Sequence, residues 1–173
     1  MLTQLHWING PWRGRLAIAA RPRGGDWLAD EIRSWSSQGI TYIVSLLTDD
    51  ERMSLDLTSE PRVARELNVA YTNLPIEDRA APASSLETVR TIESILDQLN
   101  GGRDVVIHCR QGIGRAATIA IAVLISAGLE LEEAIQLVSA ARGVPVPETT
   151  EQRCWLESFA ASGLSPANAK IAK

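Results

Sequence analysis

Residues 104–127 read DVVIHCRQGIGRAATIAIAVLISA, and this stretch limits the possible folds more than any other. Asp104 to His108 is β-branched and apolar, the composition of a buried strand. Arg115 to Ala127 is apolar on all sides, so as a helix it belongs in the middle of the molecule. Only Cys109 to Gly114 separate the two. A buried strand running so directly into a buried helix calls for a sheet with helices packed on it, an α/β layer fold. The chain has 173 residues, which suits one domain with a core that needs no staples. We expect that domain over residues 1–163, with a frayed tail over 164–173.

The remaining pattern fits the same architecture. Leu5 to Ile8 and Arg15 to Ala20 read as short strands around the turn Asn9-Gly10-Pro11. Asp26 is placed to cap a helix running to about Ser37, with Leu28, Ile32 and Trp35 on one face. Ile40 to Leu47 is a near-continuous apolar run and reads as a buried strand. Ser59 to Leu67 reads as a short helix and Val69 to Leu74 as a strand stopped by Pro75. Ser84 and Glu87 have the spacing of a capping box before a helix that ends at Asn100-Gly101-Gly102. Two more helices follow, one with its face on Leu131, Ala134, Ile135 and Val138, the last capped by Thr149 and Gln152.

The link Cys109-Arg110-Gln111-Gly112-Ile113-Gly114-Arg115 carries the chemistry. Its glycines tolerate positive φ, so the loop is able to curl until backbone N–H groups converge. The helix N-terminus adds partial positive charge there, and Arg115 offers a two-pronged donor at the same end. Such a cup favours a tetrahedral dianion, and Cys109 lies at its bottom. The same positive field favours thiolate over thiol. A thiolate facing a bound phosphate ester implies in-line attack on phosphorus and a phosphocysteine intermediate.

The segment HCRQGIGR resembles the signature loop of the cysteine-dependent protein tyrosine phosphatases. With the segments VSLLTDDE, LPIEDRAAP and ARGVPVPETTEQ, the resemblance covers roughly Ile40 to Phe159 and is nearest to the atypical, VH1-like dual-specificity phosphatases. It implies a central mixed five-stranded sheet flanked by helices, and a single phosphatase domain without a cofactor. It also implies roles. Cys109 is the expected nucleophile, and Arg115 the expected phosphate ligand beside the loop residues Arg110, Gln111, Gly112, Ile113 and Gly114. Asp78 lies in LPIEDRAAP, which is similar to the family's PIxDxxxP general-acid loop, and is the expected general acid, with Glu77 as its nearest rival. His108 is expected to shape the loop. Gln152 and Glu148 are secondary candidates: Gln152 orients water, lines the rim, or merely caps a helix.

One position departs from the pattern. The family usually has Ser or Thr after the loop arginine, where its hydroxyl helps the sulfur to leave, and here Ala116 stands there. That predicts slow breakdown of a phosphoenzyme. Thr118 is the nearest hydroxyl, and it is expected to point away from the cup.

Composition closes other routes. A formal charge of −4 gives no bulk attraction to nucleic acid or anionic membrane, so anion recognition has to be local. Two cysteines make no disulfide framework, and with two histidines at these spacings no zinc site is expected. The N-terminus lacks the pattern of a signal peptide, and the apolar run from Ala116 to Ile125 is too short to span a bilayer. The expectation is a cytoplasmic phosphatase, monomeric by default, acting on phosphoproteins or phosphopeptides without metal. Three alternatives stay open: a phosphate-binding module without turnover, a phosphatase for a phosphoinositide or an RNA 5′-phosphate, and a sulfurtransferase.

Overall fold

Alternation along the central strands divides their buried apolar side chains between two cores. The computed structural model describes residues 2–162, so the tail expected over 164–173 lies outside the described residues. The strands are β1 (Leu5–Ile8), β2 (Leu16–Ala20), β3 (Ile40–Ser45), β4 (Ala70–Asn73) and β5 (Asp104–Cys109). They form one five-stranded sheet in the order β1-β2-β5-β3-β4. β1 runs antiparallel to β2, and the other neighbours are parallel, so the sheet is mixed as expected.

The helices are α1 (Leu28–Ser37), α2 (Asp49–Ser54), α3 (Glu60–Glu66), α4 (Leu86–Asn100), α5 (Arg115–Ser126), α6 (Leu131–Arg142) and α7 (Thr150–Ala161). Leu16, Ile18, Val105 and Ile107 face the core built with α4 to α7. Ala17, Ala19 and Val106 face the other core, built with Leu28, Ile32 and Trp35 of α1 and Val63 and Ala64 of α3. Every residue of α5 is buried. Ile119, Ile121, Val123 and Leu124 are fully so, each worth about 1.5–3 kcal/mol of transfer free energy. The alanines between them let neighbouring helices approach closely.

β5 is central, and its neighbours β2 and β3 run parallel to it. The carboxyl ends of all three therefore open on the same edge, where parallel sheets place their ligand sites. Ala20 stands level with Cys109, and Ser45 with His108.

Three local expectations need correction. Asp26 lies inside a 3-10 turn, Gly25–Trp27, and makes no side-chain cap for α1. The cap of α4 is Ser85, whose hydroxyl accepts from the Thr88 amide, so the box drawn from Ser84 and Glu87 is one residue out of phase. The strand expected to reach Leu47 ends at Ser45, and a helix, α2, follows in a stretch for which the sequence pattern gives no element.

Candidate active site

Cys109 is the last residue of β5 and is only 3% exposed. The loop turns back immediately, and the Gly112 amide donates to Cys109 Sγ at 3.2 Å. Gly112 makes this possible through a φ of +69°, with its Cα so close to β2 that an added Cβ would lie 2.5 Å from the Ala19 carbonyl carbon. Arg142, the last residue of α6, donates from Nε to Gly112 O at 3.0 Å and from Nη2 to Gln111 O at 3.2 Å. It braces the loop from its carbonyl side.

Arg115 opens α5 and is 2% exposed. Its guanidinium grips Glu51 with both prongs, Nη1 to Oε2 at 2.7 Å and Nη2 to Oε1 at 2.9 Å. Nη1 also donates to Ile76 O at 2.8 Å, and Nη2 to Asp78 Oδ1 at 3.0 Å. Burial works against this charge, but the Glu51 hydrogen bond and the charges of Cys109, Glu51 and Asp78 outweigh it and raise the Arg115 pKa above its ordinary value. Glu51 responds in kind. Burial would raise its pKa, yet Arg115, the Thr48 amide and the charge of Arg110 hold it below the ordinary carboxylate value.

Glu51 is the main residue that sequence reasoning missed. Its signal was present: Thr48 and Glu51 form a capping box at the start of α2. That box would have predicted a helix after β3 and put a carboxylate in its first turn. Arg142 left no comparable signal, since an arginine near a helix end before glycine is ordinary.

Asp78 sits on a loop laid along the end of β3. Leu74 N donates to Ser45 O at 2.9 Å and Ile76 N to Leu46 O at 3.2 Å. The Asn73 amide spans Ser45 O and Leu47 O, each at 3.0 Å. Arg79, with φ +64°, turns the chain just after Asp78. The start of α7 then holds the far side. Thr149 Oγ1 donates to Arg79 O at 3.2 Å, Gln152 Nε2 to Ala80 O at 3.1 Å, and Ala81 N to Glu151 Oε1 at 3.2 Å. Asp78 is left 58% exposed, with one oxygen on Arg115.

The cavity so enclosed is about 90 Å³, lined by Cys109, Gln111, Gly114 and Arg115 from the loop and by Asp78, Arg79 and Glu148 opposite. Glu148 pairs with Arg79 across 3.5 Å. A larger cavity of about 470 Å³ lies between the start of α4 and α7, around Leu86, Trp155 and Phe159, and carries no titratable side chain. The titratable side chains gather at the smaller one.

The remaining candidates are distributed unevenly. Gln152 is fully buried and completes a capping box with Thr149, so it is a cap and a clamp on the acid loop rather than a rim residue. Arg110 is exposed, and Ile113 packs against the core. His108 is fully buried. Strand alternation turns it to the face of β5 opposite Cys109, toward Trp35 of α1. Glu77 is exposed, and the oxygen on Arg115 belongs to Asp78. Ala116 is buried beside the cup, and the Thr118 hydroxyl donates to Gly114 O at 3.0 Å. Among the described residues, the hydrogen bond to Sγ comes from the Gly112 amide. Cys154 is exposed on α7. Among the described residues no group of three His, Cys, Asp or Glu side chains is arranged to hold a metal ion, and no helix is long and apolar enough to cross a membrane.

The model of the dual specificity phosphatase catalytic domain matches residues 29–159. The chain belongs to this family. Mouse dual specificity protein phosphatase 2 is 38% identical over 78 residues, 44% of this chain and 24% of the relative. Mouse dual specificity protein phosphatase 1 is 40% identical over 81 residues, again 44% of this chain and 21% of the relative. The matched segments thus span about a quarter of those relatives' length. Among solved structures, a kinase associated phosphatase with its catalytic-site cysteine replaced by serine superposes with a TM-score of 0.83 at 18% identity, covering 94% of this chain and 96% of the other. Tk-PTP in its active form gives 0.70 at 27% identity, covering 91% and 96%. The five-stranded mixed sheet with its flanking helices is that of a dual-specificity phosphatase.

Proposed function

We propose that this chain is a metal-independent phosphomonoesterase acting through a phosphocysteine on phosphotyrosine, phosphoserine or phosphothreonine of protein substrates, as a monomer in the cytoplasm. The observation that carries the reading is the shared cavity. Cys109, Arg115 and Asp78 all line it, and Asp78 Oδ1 accepts from Arg115 Nη2.

The reaction has two displacements. Phosphate oxygens take the donors of the loop and of Arg115, replacing the contact that Asp78 Oδ1 now makes. Cys109 thiolate attacks phosphorus in line. The S–P bond forms as the ester P–O bond breaks, and protonated Asp78 gives its proton to the leaving oxygen. Water then attacks the phosphocysteine, and Asp78 carboxylate accepts its proton. The S–P bond breaks, inorganic phosphate forms, and the thiolate and protonated Asp78 are restored. Glu51 keeps the planar guanidinium aimed throughout, and the clamps from α7 keep the acid over the cup.

Hydrolysis of an aryl phosphate in EDTA from pH 5 to 8 tests this. We expect turnover that disappears in Cys109→Ser and falls strongly in Asp78→Asn, more for alkyl than for aryl leaving groups. Ala116 favours a second reading, a module that binds phosphate but turns it over poorly. Vanadate binding by a wild type that releases no product would establish that reading instead.

A further inference from the structure

Behind the nucleophile, on the other face of β5, lies an ionisable cluster that the displacement steps leave unused. Glu60 of α3 and His108 are both fully buried, with Glu60 Oε1 2.9 Å from His108 Nε2. The distance is that of an ion pair, without the alignment of a formed hydrogen bond. Tyr71 of β4 donates its hydroxyl to Glu60 Oε2 at 3.4 Å. Arg52 of α2 acts on the same phenol through its charge, and its Nε is buried without a hydrogen-bond partner. Trp35 of α1 closes the remaining side, its ring 5.9 Å from the imidazole between centroids. Burial and the Glu60 charge push the Tyr71 phenol well above its ordinary range, which keeps it a neutral donor.

A carboxylate out of water costs several kcal/mol unless a cation or donors answer it. The group nearest to Glu60 Oε1 is the His108 ring nitrogen, and His108 is covalently next to Cys109. A leucine or valine on α3 would fill this place at no such cost, as Val63 and Ala64 do one turn on.

We propose that Glu60 is a positioning residue for Cys109. It holds the His108 imidazole with its proton on Nε2 and fixes a positive charge directly behind the strand end that carries the thiol. The proposal rests on the thiolate reading above and adds to it the group that sets His108. Charge at this point favours the thiolate, while the negative partner stands one layer away on α3. Replacing Glu60 by an uncharged side chain releases the proton from the ring and withdraws that charge.

The test is the rate of iodoacetamide alkylation at Cys109 from pH 5.5 to 9, followed by mass spectrometry of the Cys109 peptide so that exposed Cys154 does not interfere. For Glu60→Gln we expect alkylation at pH 6 to fall about tenfold, the effect of one unit of displacement, with little change at pH 9. kcat/KM at pH 6 is expected to fall in parallel. Glu60→Asp keeps a carboxylate and is expected to recover part of both, and Tyr71→Phe to move alkylation in the same direction by less. Unchanged or faster alkylation at pH 6 in a folded Glu60→Gln overturns the proposal, because a neutral His108 beside a bare carboxylate predicts that sign. If Glu60→Gln does not fold, the ¹⁵N spectrum of the wild-type imidazole decides: both ring nitrogens protonated at pH 6 supports the proposal, and either nitrogen unprotonated there overturns it. A wild type that hydrolyses no phosphate ester yet alkylates as described sinks the phosphatase reading and leaves Glu60 in its role.

Discussion

Arg115 and Glu51 meet prong to prong, at 2.7 and 2.9 Å, with Arg115 2% exposed and Glu51 12%. They come from opposite ends of the chain's central segment, the first turn of α2 and the first turn of α5. Glu51→Ala leaves the guanidinium buried without its main partner, which costs about 3–5 kcal/mol. Urea unfolding is expected to show a lower midpoint at unchanged slope. kcat/KM for an aryl phosphate is expected to fall by about a hundredfold, since the arginine no longer has one orientation.

The same pair makes stability depend on pH. Glu51 has a folded pKa below its unfolded value, so the unfolded chain takes up the proton first. Its contribution is complete above the ordinary carboxylate value of about 4.5 and is lost as pH falls through the depressed folded value. Unfolding free energies measured from pH 6 down to 3 are therefore expected to fall. Glu51→Gln is expected to flatten part of that slope. A Glu51→Gln protein with the wild-type slope would remove Glu51 from this account.

Gly112→Ala places a Cβ 2.5 Å from the Ala19 carbonyl carbon and asks alanine to hold a φ of +69°. The left-handed conformation alone costs about 1–2 kcal/mol, and the obstruction is rigid backbone rather than a side chain able to swing aside. We expect a loss of about 2–4 kcal/mol in stability. Vanadate affinity should drop as well, measurable by calorimetry, because the amide that reaches Cys109 Sγ moves with the glycine.

Ala116→Ser puts a hydroxyl where the family usually has one. Charge-assisted hydrogen bonds contribute about 1.5–3 kcal/mol, so the second displacement should accelerate about tenfold or more. Rapid-mixing experiments are expected to show a burst of aryl alcohol from the wild type and a smaller or absent burst from Ala116→Ser. Equal bursts in the two proteins would mean that the sulfur leaves without help from this position.

Gln152→Ala removes a cap and the donor to Ala80 O together. The cap is worth about 1 kcal/mol of stability. The kinetic loss should be larger for alkyl phosphates, which need the acid, than for an aryl phosphate with a good leaving group, as read from paired kcat/KM measurements.

Periodicity and loop chemistry made β5, its loop and α5 legible, because a β-branched run, two glycines and a wholly apolar helix have no other arrangement in common. Asp78 was legible from its place after Pro75 and from the resemblance. What escaped depends on tertiary geometry. Glu51 looked like one more acidic residue after a strand until the capping box gave it a helix and α5 gave it a partner. Glu60 has no signal beyond its place at the start of a short helix, and it is fully buried against His108. Gln152 was legible as a cap, but its other amide group reaches Ala80 across 72 residues of chain. The one-residue shift of the α4 cap from Ser84 to Ser85 reflects two adjacent serines, between which local pattern does not choose.

α5 has no residue at the surface, and the loop after Cys109 is continuous with it. Its amide protons meet solvent only when the layers on both sides separate, so they are expected to exchange by global unfolding alone. The loop after Cys109 is then built on the last part of the molecule expected to open, and the segment that carries Asp78 is fastened instead by three contacts from the start of α7. The surroundings of Cys109 are therefore expected to stay fixed for as long as the chain is folded.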